Sequence, residues 1–129
     1  MVSDIVKLKE NNVDIILATI DGVNVCFTYV HPGSKIEDFL SIQATLTMSN
    51  VVIGDLNINT QDANFDEEKQ LQRLGDQIGK KPVLNEITHQ NLSQPDHILL
   101  GNDFGLPFYA TSYKNMYRDH KSTLWICKF

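Results

Sequence analysis

A short apolar run that ends in Gly54-Asp55-Leu56-Asn57 offers a carboxylate and an amide two residues apart. In an extended chain residues i and i+2 project to the same side, so Asp55 and Asn57 are expected to face one ligand. The carboxylate can hold a metal ion or take a proton, and the amide can donate to a phosphoryl oxygen. The same residue types are also common turn formers after a strand. A second group, Asp119-His120, stands just before the last apolar run. Histidine titrates near neutral pH and can move a proton to or from an attacking water or a leaving group. The adjacent carboxylate can bind metal or tune the imidazole, and both residues also suit a solvated loop. The third group is Asp96, which opens the apolar run His97-Ile98-Leu99-Leu100. There it could orient His120 through a hydrogen bond, as a buried Asp does in many catalytic pairs.

These residues need elements to position them. Residues 14–20 and 23–30 are apolar and β-branched runs on either side of Asp21-Gly22, which predicts a hairpin. His31-Pro32-Gly33-Ser34 stops the second strand. Ser34 can cap a helix, with Glu37 as its capping-box partner, and Ile36, Phe39, Leu40 and Leu46 supply an apolar stripe. Residues 50–53 form a short strand, apolar on both faces and therefore central. A charged surface helix is expected over about 66–78, stopped near Gly79, with Lys80 and Lys81 at its negative end. Further strands are expected at 82–84, 96–100 and 122–128. The order β-β-α-β-α-β-β-β predicts an α+β fold, a mixed β-sheet with two main helices against it.

The 129 residues suit one domain, with 42% hydrophobic and 21% charged residues and no internal repeat or linker. A net charge of −5 argues against a sequence-blind nucleic-acid coat, which needs a basic surface. It leaves room for a nuclease, whose carboxylates a bound cation can offset. No apolar run approaches the roughly 20 residues that span a bilayer, so no membrane association is expected. Met1-Val2-Ser3-Asp4 lacks the pattern of a signal peptide, and the initial Met is expected of a whole chain rather than a fragment. Cys26 and Cys127 lie in apolar runs and are expected to be buried free thiols, which points to an intracellular site, cytoplasm or nucleus.

Taken in order, the three groups resemble the endonuclease/exonuclease/phosphatase superfamily, which includes apurinic-site endonucleases, deoxyribonucleases and retrotransposon endonucleases. Val51-Val52-Ile53-Gly54-Asp55-Leu56-Asn57 is similar to its Gly-Asp-Phe-Asn strand, and Gln94-Pro95-Asp96-His97-Ile98-Leu99-Leu100 to its Asp-bearing strand. Tyr117-Arg118-Asp119-His120-Lys121 is similar to its terminal Ser-Asp-His, with Arg118 in place of serine. Phe27-Thr28-Tyr29-Val30-His31-Pro32-Gly33-Ser34 and Ile87-Thr88-His89 match more weakly. The resemblance implies a divalent metal, magnesium or manganese, and hydrolysis of a phosphodiester or phosphomonoester. It implies that Asp55 activates the water or handles the leaving oxygen, that Asn57 holds the phosphate, and that Asp96 orients His120. Asp119 would lie at or beside the metal, and His120 would contact the scissile phosphate or act as base. Tyr29 would take the mid-chain phosphate-contact position, with His31 as second candidate and His89 as a further phosphate-binding candidate.

The resemblance covers only the family's C-terminal half. Its four-layer α/β/β/α sandwich is about twice this length, so a truncated version is implied. The family's metal-binding Asn and Glu find no counterpart, and Thr19 stands where one register would put the Glu. A hard cation needs several oxygen ligands, so this loss should weaken metal binding. A half sandwich would also expose apolar sheet face and strand edges, which predicts a homo-oligomer or a protein partner that covers them. Two functions follow: a metal-dependent hydrolase acting on DNA, RNA or another phosphoester, or a catalytically degenerate interaction or nucleic-acid-binding module.

Overall fold

The computed structural model describes residues 2–10, 12–32, 42–58, 65–85, 88–89, 93–114 and 119–127. The chain runs β1 (Val2–Glu10), β2 (Val13–Ile20), β3 (Val23–Val30), α1 (Gln43–Met48), β4 (Val51–Asp55) and α2 (Phe65–Ile78). It continues through β5 (Lys80–Pro82), β6 (Asp96–Gly101), β7 (Phe108–Tyr113) and β8 (Ser122–Cys127). Six strands form one sheet in the order β1-β2-β3-β4-β6-β5, and β7 pairs β8 in a second sheet. Only β3–β4 is parallel, so the large sheet is mixed and the fold is α+β. A parallel pair cannot be closed by a tight turn, and the β3–β4 connection includes α1.

The β2–β3 hairpin turns at Asp21 (φ 48°) and Gly22 (φ 82°), both left-handed as a type I′ turn requires. β4 is central, with Val51 and Val52 buried on opposite faces. On the helix face Val13, Cys26, Val52 and Leu99 pack with Leu46 of α1 and Leu71, Leu74 and Ile78 of α2. Burying side chains of this size stabilises by about 1.5–3 kcal/mol each. On the other face Val25, Val51, Ile98 and Leu100 pack with Phe104, Ala110 and Trp125, so the small sheet covers part of the large one. The remainder is an apolar groove of about 1010 Å³ that includes Ile16, Phe27, Ile53, Leu124 and Ile126.

Several expectations change. β1 and β7 were not anticipated, β5 lies at 80–82 rather than 82–84, and β8 joins β7 rather than the main sheet. Cys26 is buried, whereas Cys127 is only half-buried; both are free. Lys80 is buried, and its Nζ donates to the Ile78 carbonyl ending α2 (3.4 Å) and to the Thr47 carbonyl of α1 (3.2 Å). The capping pair Ser34–Glu37, the stripe residues Ile36, Phe39 and Leu40, and Arg118 lie outside the described residues; Leu46 of the same stripe is buried in α1. Among the described residues no helix is long and apolar enough to cross a membrane.

Candidate functional site

Pairing register builds the centre of the site. Tyr29 lies opposite Asp55 across the parallel β3–β4 pair, and Asp55 lies opposite Asp96 across the antiparallel β4–β6 pair. Register partners project to one face, so three residues distant in sequence form one row, Tyr29–Asp55–Asp96. Val51, Ile98 and Leu100 share its parity, which puts the row on the face opposite the helices. The next row, Thr28–Gly54–His97, points toward the helices. Thus Asp96 and His97, adjacent in sequence, serve different places. His97 is buried and its Nε2–H donates to the Ile58 carbonyl at 2.6 Å, tying down the chain beyond Asn57.

His120 meets the row from the segment before β8. Its Nδ1–H donates to Asp96 Oδ2 at 2.8 Å, and its Nε2 lies 3.8 Å from Asp55 Oδ2. The segment is held by an isolated bridge between His89 and His120 and by the Lys121 N–H, which donates to the Thr88 carbonyl at 2.6 Å. The His89 and His120 rings meet edge to face with centroids 4.6 Å apart. His89 Nε2–H donates in turn to Asp119 Oδ2 at 3.3 Å. A polar cleft of about 400 Å³ opens here, lined by Tyr29, Asp55, Asn57, His89 and His120, with Pro32, Ser93 and Pro95 at its walls.

Asn57 reaches the cleft differently than extended geometry requires. The strand ends at Asp55, and Asn57 adopts a left-handed conformation (φ 52°). Its N–H donates to Asp55 Oδ1 at 2.9 Å, the Asx-turn geometry, and its side-chain amide donates to the Val30 carbonyl. The two residues therefore share a cleft through a turn, not through strand alternation, and the amide proton expected for a phosphate is engaged with the backbone. His31 does not line the cleft; its Nε2–H donates to Asp14 Oδ2 at 3.0 Å, and its ring contacts Tyr29. Asp119 sits at the outer rim, with 54% of its side chain exposed.

The electrostatics follow from burial and crowding of carboxylates. Burial pushes the Asp55 carboxyl above its usual range; the Asn57 N–H opposes this and nearby Asp96 adds to it. Burial depresses the His120 imidazole, but the Asp96 hydrogen bond and the charges of Asp96, Asp55 and Asp119 outweigh it, and the net direction is upward. Asp119 is held below the usual range, chiefly by a hydrogen bond from its own backbone N–H. Among the described residues, two triads have one donor atom from each residue within 4.8 Å of the others: Asp55, Asp96 and His120, and His89, Asp119 and His120.

The structure therefore brings together Tyr29, Asp55, Asn57, Asp96, His120 and His89, leaves Asp119 at the edge, and places His31 on Asp14. Sequence reasoning gave no role to Thr88, which is fully buried. Its hydroxyl accepts from the Asp96 N–H at 3.4 Å while its carbonyl holds Lys121. Gln94, also fully buried, donates to the Leu84 carbonyl at 2.8 Å. Both stand inside the quoted motifs, but nothing in their spacing signals burial.

No protein-family model matches the sequence, and no curated protein matches it. Among solved structures the chain is similar to the endonuclease domain of TRAS1, a telomere-specific non-LTR retrotransposon. The TM-score is 0.65 at 15% identity, over 95% of this chain and 65% of that one. It is also similar to a beta toxin from Staphylococcus aureus, with a TM-score of 0.41, 12% identity and coverage of 91% of this chain and 57% of that one. The first likeness shows an endonuclease-like fold, and the chain spans 65% of that domain's length.

Proposed function

We propose that the protein is a metal-dependent phosphodiester hydrolase of the endonuclease/exonuclease/phosphatase kind, acting on DNA, RNA or another phosphoester. The observation that carries this is the row Tyr29–Asp55–Asp96 with His120 held on Asp96 at 2.8 Å, at the wall of a polar cleft. The fold likeness to an endonuclease domain supports it. Asp96 fixes the His120 tautomer and ring, so that Nε2 faces the reacting phosphate as base or contact. Asp55, raised by burial, takes a proton from the attacking water or passes one to the leaving oxygen. Tyr29 donates its hydroxyl to a phosphate oxygen. Asn57 shapes the Asp55 turn through its backbone N–H, which donates to Asp55 Oδ1. A hard cation, magnesium or manganese, would supply charge neutralisation of the phosphate, with Asp55 and Asp119 as its oxygen donors.

The test is cleavage of plasmid, single-stranded DNA and RNA with magnesium or manganese against chelator, beside Asp55→Ala and His120→Ala. Metal-dependent cleavage lost in both variants supports the reading; equal background in all three proteins overturns it. One observation favours a second reading, a catalytically silent interaction module. Exposed Leu8 and Ile16 border the groove next to edge strand β1, where a second copy of the chain would extend the sheet. Light scattering that gives a clean monomer at micromolar concentration would exclude self-pairing.

A further inference from the structure

We propose that His89, Asp119 and His120 form a binding site for a borderline divalent ion of the zinc class at the rim of the cleft, set apart by its two imidazole donors from the magnesium reading at Asp55 and Asp119. Two imidazoles and one carboxylate are a donor set that suits zinc, whereas magnesium demands oxygen and keeps its waters. The spacing agrees. Ligands about 2.0–2.1 Å from a tetrahedral zinc lie about 3.3 Å from one another. His89 Nε2 and Asp119 Oδ2 are 3.3 Å apart, and a nitrogen of His120 lies within 4.8 Å of both donors.

The supporting shell is also present. Metal-binding histidines usually donate their second ring nitrogen to a carboxylate, which fixes the tautomer and raises basicity. His120 Nδ1–H donates to Asp96 Oδ2, which leaves Nε2 as the nitrogen available to an ion. The backbone bridge between His89 and His120 fixes the two ligand-bearing segments side by side. His89 and His120 line the cleft, from which water or a phosphate oxygen would complete the coordination.

One consequence rests on the hydrolase reading above. His120 Nε2 cannot ligate zinc and serve a reacting phosphate at once, so zinc at this site inhibits magnesium-supported cleavage.

The experiment titrates metal-free protein with zinc chloride by calorimetry in millimolar magnesium, and follows the visible absorption of cobalt(II) as a histidine-sensitive surrogate. His89→Ala, Asp119→Asn and Asp96→Asn are compared with His31→Ala, whose ring sits outside the cleft, and folding is checked by circular dichroism. The expected result is one equivalent of zinc bound despite the magnesium. His89→Ala and Asp119→Asn weaken binding more than tenfold, Asp96→Asn weakens it about 10–100-fold as a positioning residue, and His31→Ala leaves it unchanged. Absence of zinc binding, or folded His89→Ala and Asp119→Asn proteins that bind as the parent does, overturns the site. Zinc binding without nuclease activity would sustain the site while rejecting the hydrolase reading. Cleavage unaffected by saturating zinc would overturn the inhibition alone.

Discussion

Gly54→Ala tests whether backbone contact, rather than any side chain, sets the position of the site. Gly54 sits at φ +151°, a region that side chains rarely adopt, and it lies between Thr28 of β3 and His97 of β6 in one row. A Cβ built there would be 1.8 Å from the Thr28 carbonyl oxygen and 2.9 Å from its carbon. A carbon–oxygen contact needs upwards of about 3.3 Å, so β3 and β4 must part by more than an ångström next to the Tyr29–Asp55 pairing. The conformational cost is of order 1–3 kcal/mol, and forced overpacking of a filled core adds a further 1–3. Gly22→Ala is the matched control: its φ is +82°, yet nothing lies within 4 Å of its Cβ, so only the roughly 1–2 kcal/mol left-handed penalty applies. Urea unfolding of the two variants is expected to place Gly54→Ala about 2 kcal/mol below Gly22→Ala, a large share of the 5–15 kcal/mol typical of a domain. Equal midpoints would refute the claim that the β3–β4 approach excludes a side chain at residue 54.

Other expectations follow from single groups. In metal-free protein the His120 ring should titrate above the ordinary value of about 6.5, and Asp96→Asn should bring it down, as read by proton NMR. Because the folded value is raised, the stabilisation is full below about pH 6.5 and is lost as pH rises through the folded value, so the urea midpoints of parent and Asp96→Asn should converge at high pH. Lys80→Ala removes a buried ammonium from two helix-end carbonyls and should cost about 2 kcal/mol or more in urea unfolding. Cys26 is fully buried with its thiol pushed up to about 12, so a thiol reagent at mild pH should label Cys127 first and reach Cys26 only on unfolding. Simultaneous labelling of both would refute that order.

Much of the scaffold was legible because its signals are local. The Asp21-Gly22 turn has the positive φ pair that those residues favour, and the doubly apolar run at 50–53 became central β4. β1 was not legible for a physical reason. It is an edge strand exposed from Val2 to Lys9, so no buried face imposes alternation there, and its pairing with β2 is broken by a register shift between Ser3 and Val6. β7 likewise has no fully buried residue and is paired with β8 alone. In the site, Asp96 and His120 were readable as a pair because their chemistry is specific. The turn at Asn57 was not, since an amide that bonds the Val30 carbonyl looks the same in sequence as one that awaits a phosphate.

Parity, more than polarity, decides whether the acids meet. Asp55 and Asp96 share one sheet face only because the residues next to them along each strand are committed to the opposite face. A one-residue slip of β4 against its neighbours would send the Asp55 carboxylate toward the helices, part it from Asp96 and bring Gly54 to the cleft face. Three anchors oppose that slip, and none belongs to the reacting row. Thr28 and Gly54 touch backbone to backbone, His97 holds the Ile58 carbonyl, and Asn50 ties the start of β4 to β3 by accepting the Asn24 N–H on its side chain at 2.9 Å. The cleft chemistry is therefore carried by polar residues whose placement is dictated from the apolar side of the same strands. Substitutions at Gly54, His97 or Asn50 should disturb the site without touching a single group in it.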